Sequence, residues 1–139
     1  MKTLFVALAL VSVAALQSCQ GENTPPNNVV KDKLLGKWKL ERLESDIYSP
    51  ATVFNHHEQY LGIASDSIVF KANGEVYNYI DDPLDPDITE WVLINDTTLS
   101  VDGEITKIRE LTSTRLLLHS DDTFTSPSGR IVTDAYLYR

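Results

Sequence analysis

Few residues in this chain stand where they could do chemistry. His56-His57-Glu58 offers metal-ligand side chains, and Asp81-Asp82-Pro83-Leu84-Asp85-Pro86-Asp87 gathers carboxylates in one run. Lys107 and Arg109 are bases two residues apart, while His119 and Cys19 stand alone. A zinc site needs side chains that converge on one point. Neighbouring residues on a helix point about 100° apart, so His56 and His57 diverge there, and no HExxH spacing occurs. Calcium takes about six to eight oxygens; the acidic run lacks the Gly and terminal Glu of an EF-hand loop, and its prolines stiffen it. It reads as a solvated acidic loop. An inward Lys107 or Arg109 could pair with a ligand carboxylate, but Ile108 is the core residue of the alternating stretch Thr106–Glu110, so both bases are expected outside. His119 reads as structural. The chain has no G-x-S-x-G elbow, P-loop or G-x-G-x-x-G run, and nothing places a nucleophile beside a base. No enzyme activity, cofactor or metal is expected.

The chain has 139 residues, which suits one folded domain. With 42% hydrophobic and 23% charged residues, and only 6 Gly and 6 Pro, it is neither disordered nor low in complexity. The net charge is -8, so the clustered bases that a nucleic-acid binder needs are missing. A single Cys rules out a disulfide framework and a multi-Cys zinc site within one chain.

Met1-Lys2-Thr3 is a short positive start, and Leu4 to Leu16 is apolar apart from Ser12. That run is shorter than the roughly 20 residues needed to span a bilayer as a helix, and it fits a secretory leader. It ends in Leu16-Gln17-Ser18-Cys19, which resembles the lipobox of bacterial lipoproteins: a bulky aliphatic residue three before the Cys and a small one just before it. The resemblance implies a leader over residues 1–18, removal of that leader, and a lipidated Cys19. The partner would be the lipid bilayer. Gln20 in place of Asp, and a faint likeness of Gln20-Gly21-Glu22 to the export signal of Bacteroidetes surface lipoproteins, imply an outer-membrane anchor on the periplasmic or cell-surface side. The polar stretch to Lys33, with Pro25-Pro26 and Asn27-Asn28, reads as a tether over 19–33.

From Leu34 to Arg139 the pattern is short β-rich runs separated by turn formers. Strands are expected near Lys37–Glu44, Asp66–Lys71, Glu75–Ile80, Thr89–Ile94, Thr98–Asp102, Glu104–Leu111, Arg115–Ser120 and Ile131–Tyr138. Short links make successive strands antiparallel. A three-residue loop Asn95-Asp96-Thr97 puts Leu93 opposite Leu99 and Trp91 opposite Val101, uniting the apolar side chains on one face; slipping by one residue would scatter them. The hairpin at Asn73-Gly74 admits two registers: a two-residue turn groups Phe70 with Tyr77 and Tyr79, and a bulged Ala72-Asn73-Gly74 loop groups it with Val76 and Ile80. Ser45 to Ser65 is the least strand-like stretch. Ser49 as cap, Pro50 as first residue and Gly62 as stop predict a short helix, with Val53, His57, Tyr60 and Leu61 on one stripe. Eight antiparallel strands remove their edges by closing into an up-and-down barrel; a two-sheet sandwich is the alternative.

Gly36-Lys37-Trp38 is similar to the Gly-x-Trp signature of lipocalins, whose Trp closes the barrel base beside an Arg from near the last strand. Together with Ile68–Gly74, Glu90–Leu93 and Ile108–Leu116, it resembles the lipocalin-like domain of Bacteroidetes lipoproteins across the whole region 34–139. The resemblance implies an eight-stranded calycin-type barrel and makes Arg139, or behind it Arg115, the partner of Trp38. Ordinary core packing would also account for Trp38. The function expected is binding of a small apolar or amphipathic ligand, walled by Trp38, Phe70, Trp91, Leu93, Leu99 and Tyr60. The rival is an interaction or inhibitor module with a solid barrel, whose acidic exterior meets a basic partner.

Overall fold

The computed structural model describes residues 26–125 and 128–139. Cys19, the leader and the first part of the expected tether lie outside them. The elements are α1 (Asn28–Leu34), β1 (Gly36–Tyr48), β2 (Phe54–Leu61), β3 (Ser67–Phe70), β4 (Glu75–Asn78), β5 (Asp87–Asn95), β6 (Thr98–Val101), β7 (Glu104–Leu111), β8 (Arg115–Thr125) and β9 (Ser128–Tyr138). Every pairing is antiparallel, and β1 also pairs with β9, which closes an eight-stranded barrel. The ninth strand, β2, lies outside that ring and pairs only with the second half of β1.

The eight expected strands all form. β8 extends past Ser120 to Thr125, and β1 past Glu44 to Tyr48, the latter because its two halves have different partners. Gly36 to Lys39 pairs with β3, and Arg42 to Tyr48 pairs with β2. A bulge at Glu41 separates the halves on the β9 side, where Leu40 faces Leu137 and Arg42 faces Tyr136. The expected helix between the first two strands is corrected here: its segment is a turn followed by β2. Once β3 has ended, the β1 edge from Arg42 onward has backbone groups without a partner, and β2 satisfies them. That long-range gain overrides the local capping signal of Ser49-Pro50, which instead opens a tight turn with Val53 N–H donating to Pro50 O at 2.8 Å. Gly62 ends β2 where the chain crosses β1 so closely that a Cβ would run into the Leu40 carbonyl.

The one helix among the described residues lies before β1, where residues 28–33 were expected to be tether. Asn27 caps it by accepting from Val29 N–H at 2.9 Å. Val30 and Leu34, four residues apart, share the face turned to the barrel, and Leu34 is fully buried.

Both hairpin questions have answers. Leu93 faces Leu99 and Trp91 faces Val101 as expected, but Thr98 pairs with Asn95 rather than Ile94, because the strand bulges between Leu93 and Asn95. Phe70 pairs with Val76 and Lys71 N–H donates to Glu75 O at 2.8 Å, so the Asn73-Gly74 turn takes the bulged three-residue form. Tyr77 and Tyr79 stack together, with ring centroids 6.4 Å apart.

Candidate functional site

The inward side chains change in size along the barrel. At one end Trp38, Leu40, Leu99, Leu116 and Leu137 are at most 2% exposed, and Trp91 and Leu93 pack with them. Trp38 Nε1 donates to Leu34 O at 2.8 Å, and Trp91 Nε1 donates to Lys71 O at 3.0 Å, so neither buried indole leaves its N–H unpaired. The Arg139 guanidinium lies 3.8 Å from the centroid of the Trp38 ring, and it also donates to the carbonyls of Leu35 and Lys33. Helix, first strand and last residue are thereby tied over one ring. This end is sealed.

Toward the other end the barrel is hollow. A cavity of about 580 Å³ lies against Ile68, Phe70, Val76, Val101, Leu118 and Ala135. Its polar wall is Asn78, Thr89, Thr106, Ser120 and Thr133, with Asp87 and Asp102 beside them. A second hollow of about 460 Å³ opens between β2 and the chain after β4, lined by Leu43, Ser45, Glu58, Tyr60, Ile80 and Asp81 among others. Ser45 and Thr133, one on each lining, hydrogen-bond at 3.1 Å across the β1–β9 pair.

Of the six side chains expected to wall a ligand, Phe70 alone lines the larger cavity. Trp38, Trp91, Leu93 and Leu99 belong to the packed core, and Phe70 joins them through an edge-to-face contact with Trp91 at 5.2 Å. Tyr60 lines the second hollow, and its hydroxyl donates to Asp66 Oδ2 at 2.6 Å. That bond to a carboxylate, helped by burial, pushes the Tyr60 phenol up to about 12. Asp66, only 1% exposed, also accepts from Ile63 N–H, while its Oδ1 is buried without a hydrogen-bond partner among the described residues.

The polar wall escaped the reading of the sequence, although a signal for it exists. On five strands a small or polar residue stands two positions from a large inward one: Val76 then Asn78, Trp91 and Thr89, Ile108 and Thr106, Leu118 then Ser120, Leu137 with Ala135 and then Thr133. Because side chains alternate with period two, these positions share the interior but lie nearer its open end.

The remaining chemistry-bearing residues sit elsewhere. His56 and His57 fall on β2, not on a helix. His56 bonds Glu58 at 2.9 Å and His57 bonds Asp46 on β1 at 2.8 Å. His119 bonds Asp134 across β8 and β9 at 2.8 Å. Lys107 and Arg109 are exposed while Ile108 is buried, as expected, and Lys107 Nζ donates to Thr98 Oγ1. In the acidic run, Asp82 Oδ1 accepts from the N–H groups of Leu84 and Asp85. Among the described residues, no group of three His, Cys, Asp or Glu side chains could hold a metal ion. No helix among them is long and apolar enough to cross a membrane. No protein-family model, curated protein or solved structure matches the chain.

Proposed function

We propose that this chain is a lipid-anchored, lipocalin-like binding protein that holds a small apolar or amphipathic molecule inside its barrel. The observation that carries this reading is the cavity of about 580 Å³ against Phe70, Val76 and Leu118, a size within the range of small-molecule sites. The sealed end supports it, since a Trp crossed by an Arg from near the last strand is the arrangement that the lipocalin resemblance implies. The anchor rests on Leu16-Gln17-Ser18-Cys19 alone. An interaction module with a solid barrel would need this volume filled, so the cavity favours ligand binding over that alternative. Native mass spectrometry of the purified protein tests the reading. A bound small molecule is expected in the wild type and its loss in Ala135→Trp, which places an indole in the cavity. Wild-type and variant spectra that both lack a ligand, after exposure to a lipid extract, would overturn it.

A further inference from the structure

The charges around the two hollows have one sign. Asp87 and Asp102 line the larger cavity, Glu58 and Asp81 line the smaller, and neither lining includes a Lys, Arg or His. Three bases of the neighbouring strands are engaged elsewhere: Lys107 with Thr98, Arg130 with Asp121, and Arg42 with Glu41 and Glu44. Asp87 and Asp102 are exposed, at the open side of the cavity, and have no ion-pair or side-chain hydrogen-bond partner among the described residues. A fatty acid would bring its carboxylate into this field and be repelled.

We infer that the cavity selects amphipathic cations, with the apolar tail against Phe70, Val76 and Leu118 and a protonated amine at the Asp87 and Asp102 carboxylates. This inference rests on the binding reading above and narrows it to a class of head group. Thr89 and Thr106, on the same lining, supply hydroxyl oxygens that accept from the remaining ammonium N–H groups. The acidic wall also raises the local concentration of cations at the mouth, an effect that salt weakens.

Three ligands that differ only in head group test this: decylammonium, decanol and decanoate, titrated below their micellar concentrations at pH 7 by calorimetry. The protein is the full chain carrying Cys19→Ser, so that no attached lipid competes. Decylammonium is expected to bind about tenfold more tightly than decanol, equivalent to about 1.4 kcal/mol, and decanoate more weakly than either. The preference should shrink in 1 M salt, where the Debye length is about 3 Å, and vanish in the double variant Asp87→Asn, Asp102→Asn. Decanol or decanoate binding as tightly as the amine would overturn the inference and leave the binding reading intact. A preference that survives in the double variant, or in Ala135→Trp, would overturn the assignment to this cavity. If none of the three binds, the inference falls, and the native mass spectrum of the wild type decides the binding reading separately.

Discussion

The two ends of the barrel are made of the same strands and behave as different materials. At the sealed end Trp38, Trp91, Leu99, Leu116 and Leu137 fill the interior, and Arg139 closes it from outside. At the open end the inward positions of those strands carry Thr89, Ser120 and Thr133, which are too small to meet across the barrel and so enclose a cavity. The backbone ladder continues through both ends, so hydrogen bonding does not distinguish them; side-chain volume does. Stability should therefore be concentrated in one half and binding in the other.

The strongest way to break that comparison is to cut the sealed end and the open end separately. Trp38→Ala removes a fully buried indole and orphans the Leu34 carbonyl. It should cost about 3–5 kcal/mol of unfolding free energy, enough to leave a small domain barely folded. Thr133→Ala at the cavity wall should cost below about 1 kcal/mol, because it removes one hydrogen bond and leaves no new void in a packed region. Urea denaturation of both variants measures the contrast. Equal costs would mean that the ends are not energetically distinct.

Arg139→Ala sharpens the same comparison with a smaller effect. The guanidinium stacks on Trp38 and ties the Leu35 and Lys33 carbonyls, but it is exposed. Its loss should cost about 1–2 kcal/mol. Arg139→Lys should recover little, since an ammonium cannot stack on the ring and reach both carbonyls together. Thermal melting separates the three proteins. Unchanged melting in Arg139→Ala would make Trp38 ordinary core and the clasp incidental.

The sealed end was legible in the sequence, and the open end much less so. Apolar residues in strict alternation fix both register and inward face, so the sequence alone pairs Leu93 with Leu99 and puts Trp91 on the same face. The Asn73-Gly74 hairpin kept two registers because Val76 and Tyr77 are both good strand residues, and only the packing of Phe70 on Trp91 decides between them. β2 was invisible for a physical reason. It is an edge strand exposed on nearly every side chain, so it lacks the apolar alternation that marks a half-buried strand. What holds it is the edge of β1 beyond Lys39, which β3 leaves unpaired because β3 reaches only to Ser67 opposite it. The cavity was misassigned for a related reason: large aromatic residues were expected to wall a ligand, whereas large residues fill space and small ones leave it. Of the aromatic residues expected there, Phe70 sits at the boundary between the two, beside Val76 and Leu118.

That boundary has one polar tie on the β2 side, and its pH dependence has a definite sign. Tyr60 donates to the buried Asp66 carboxylate at 2.6 Å, which pushes the phenol up to about 12 from its ordinary value near 10. A folded-state pKa raised above the unfolded one means that the unfolded chain loses this proton first. The contribution is therefore complete below about pH 10 and drains away as pH rises toward 12. Tyr60→Phe should be less stable than the wild type at pH 8, since it leaves the buried Asp66 carboxylate without this donor. The stability curves of the two proteins should then converge between pH 10 and 12. Tyr77, raised in the same direction by its bond to Glu75, is present in both and cancels from the difference. Urea midpoints measured across this range give the test. Curves that stay parallel to pH 12 would show that Asp66 does not hold the Tyr60 proton, and that β2 is attached through its pairing with β1 and the side-chain bonds along that pair.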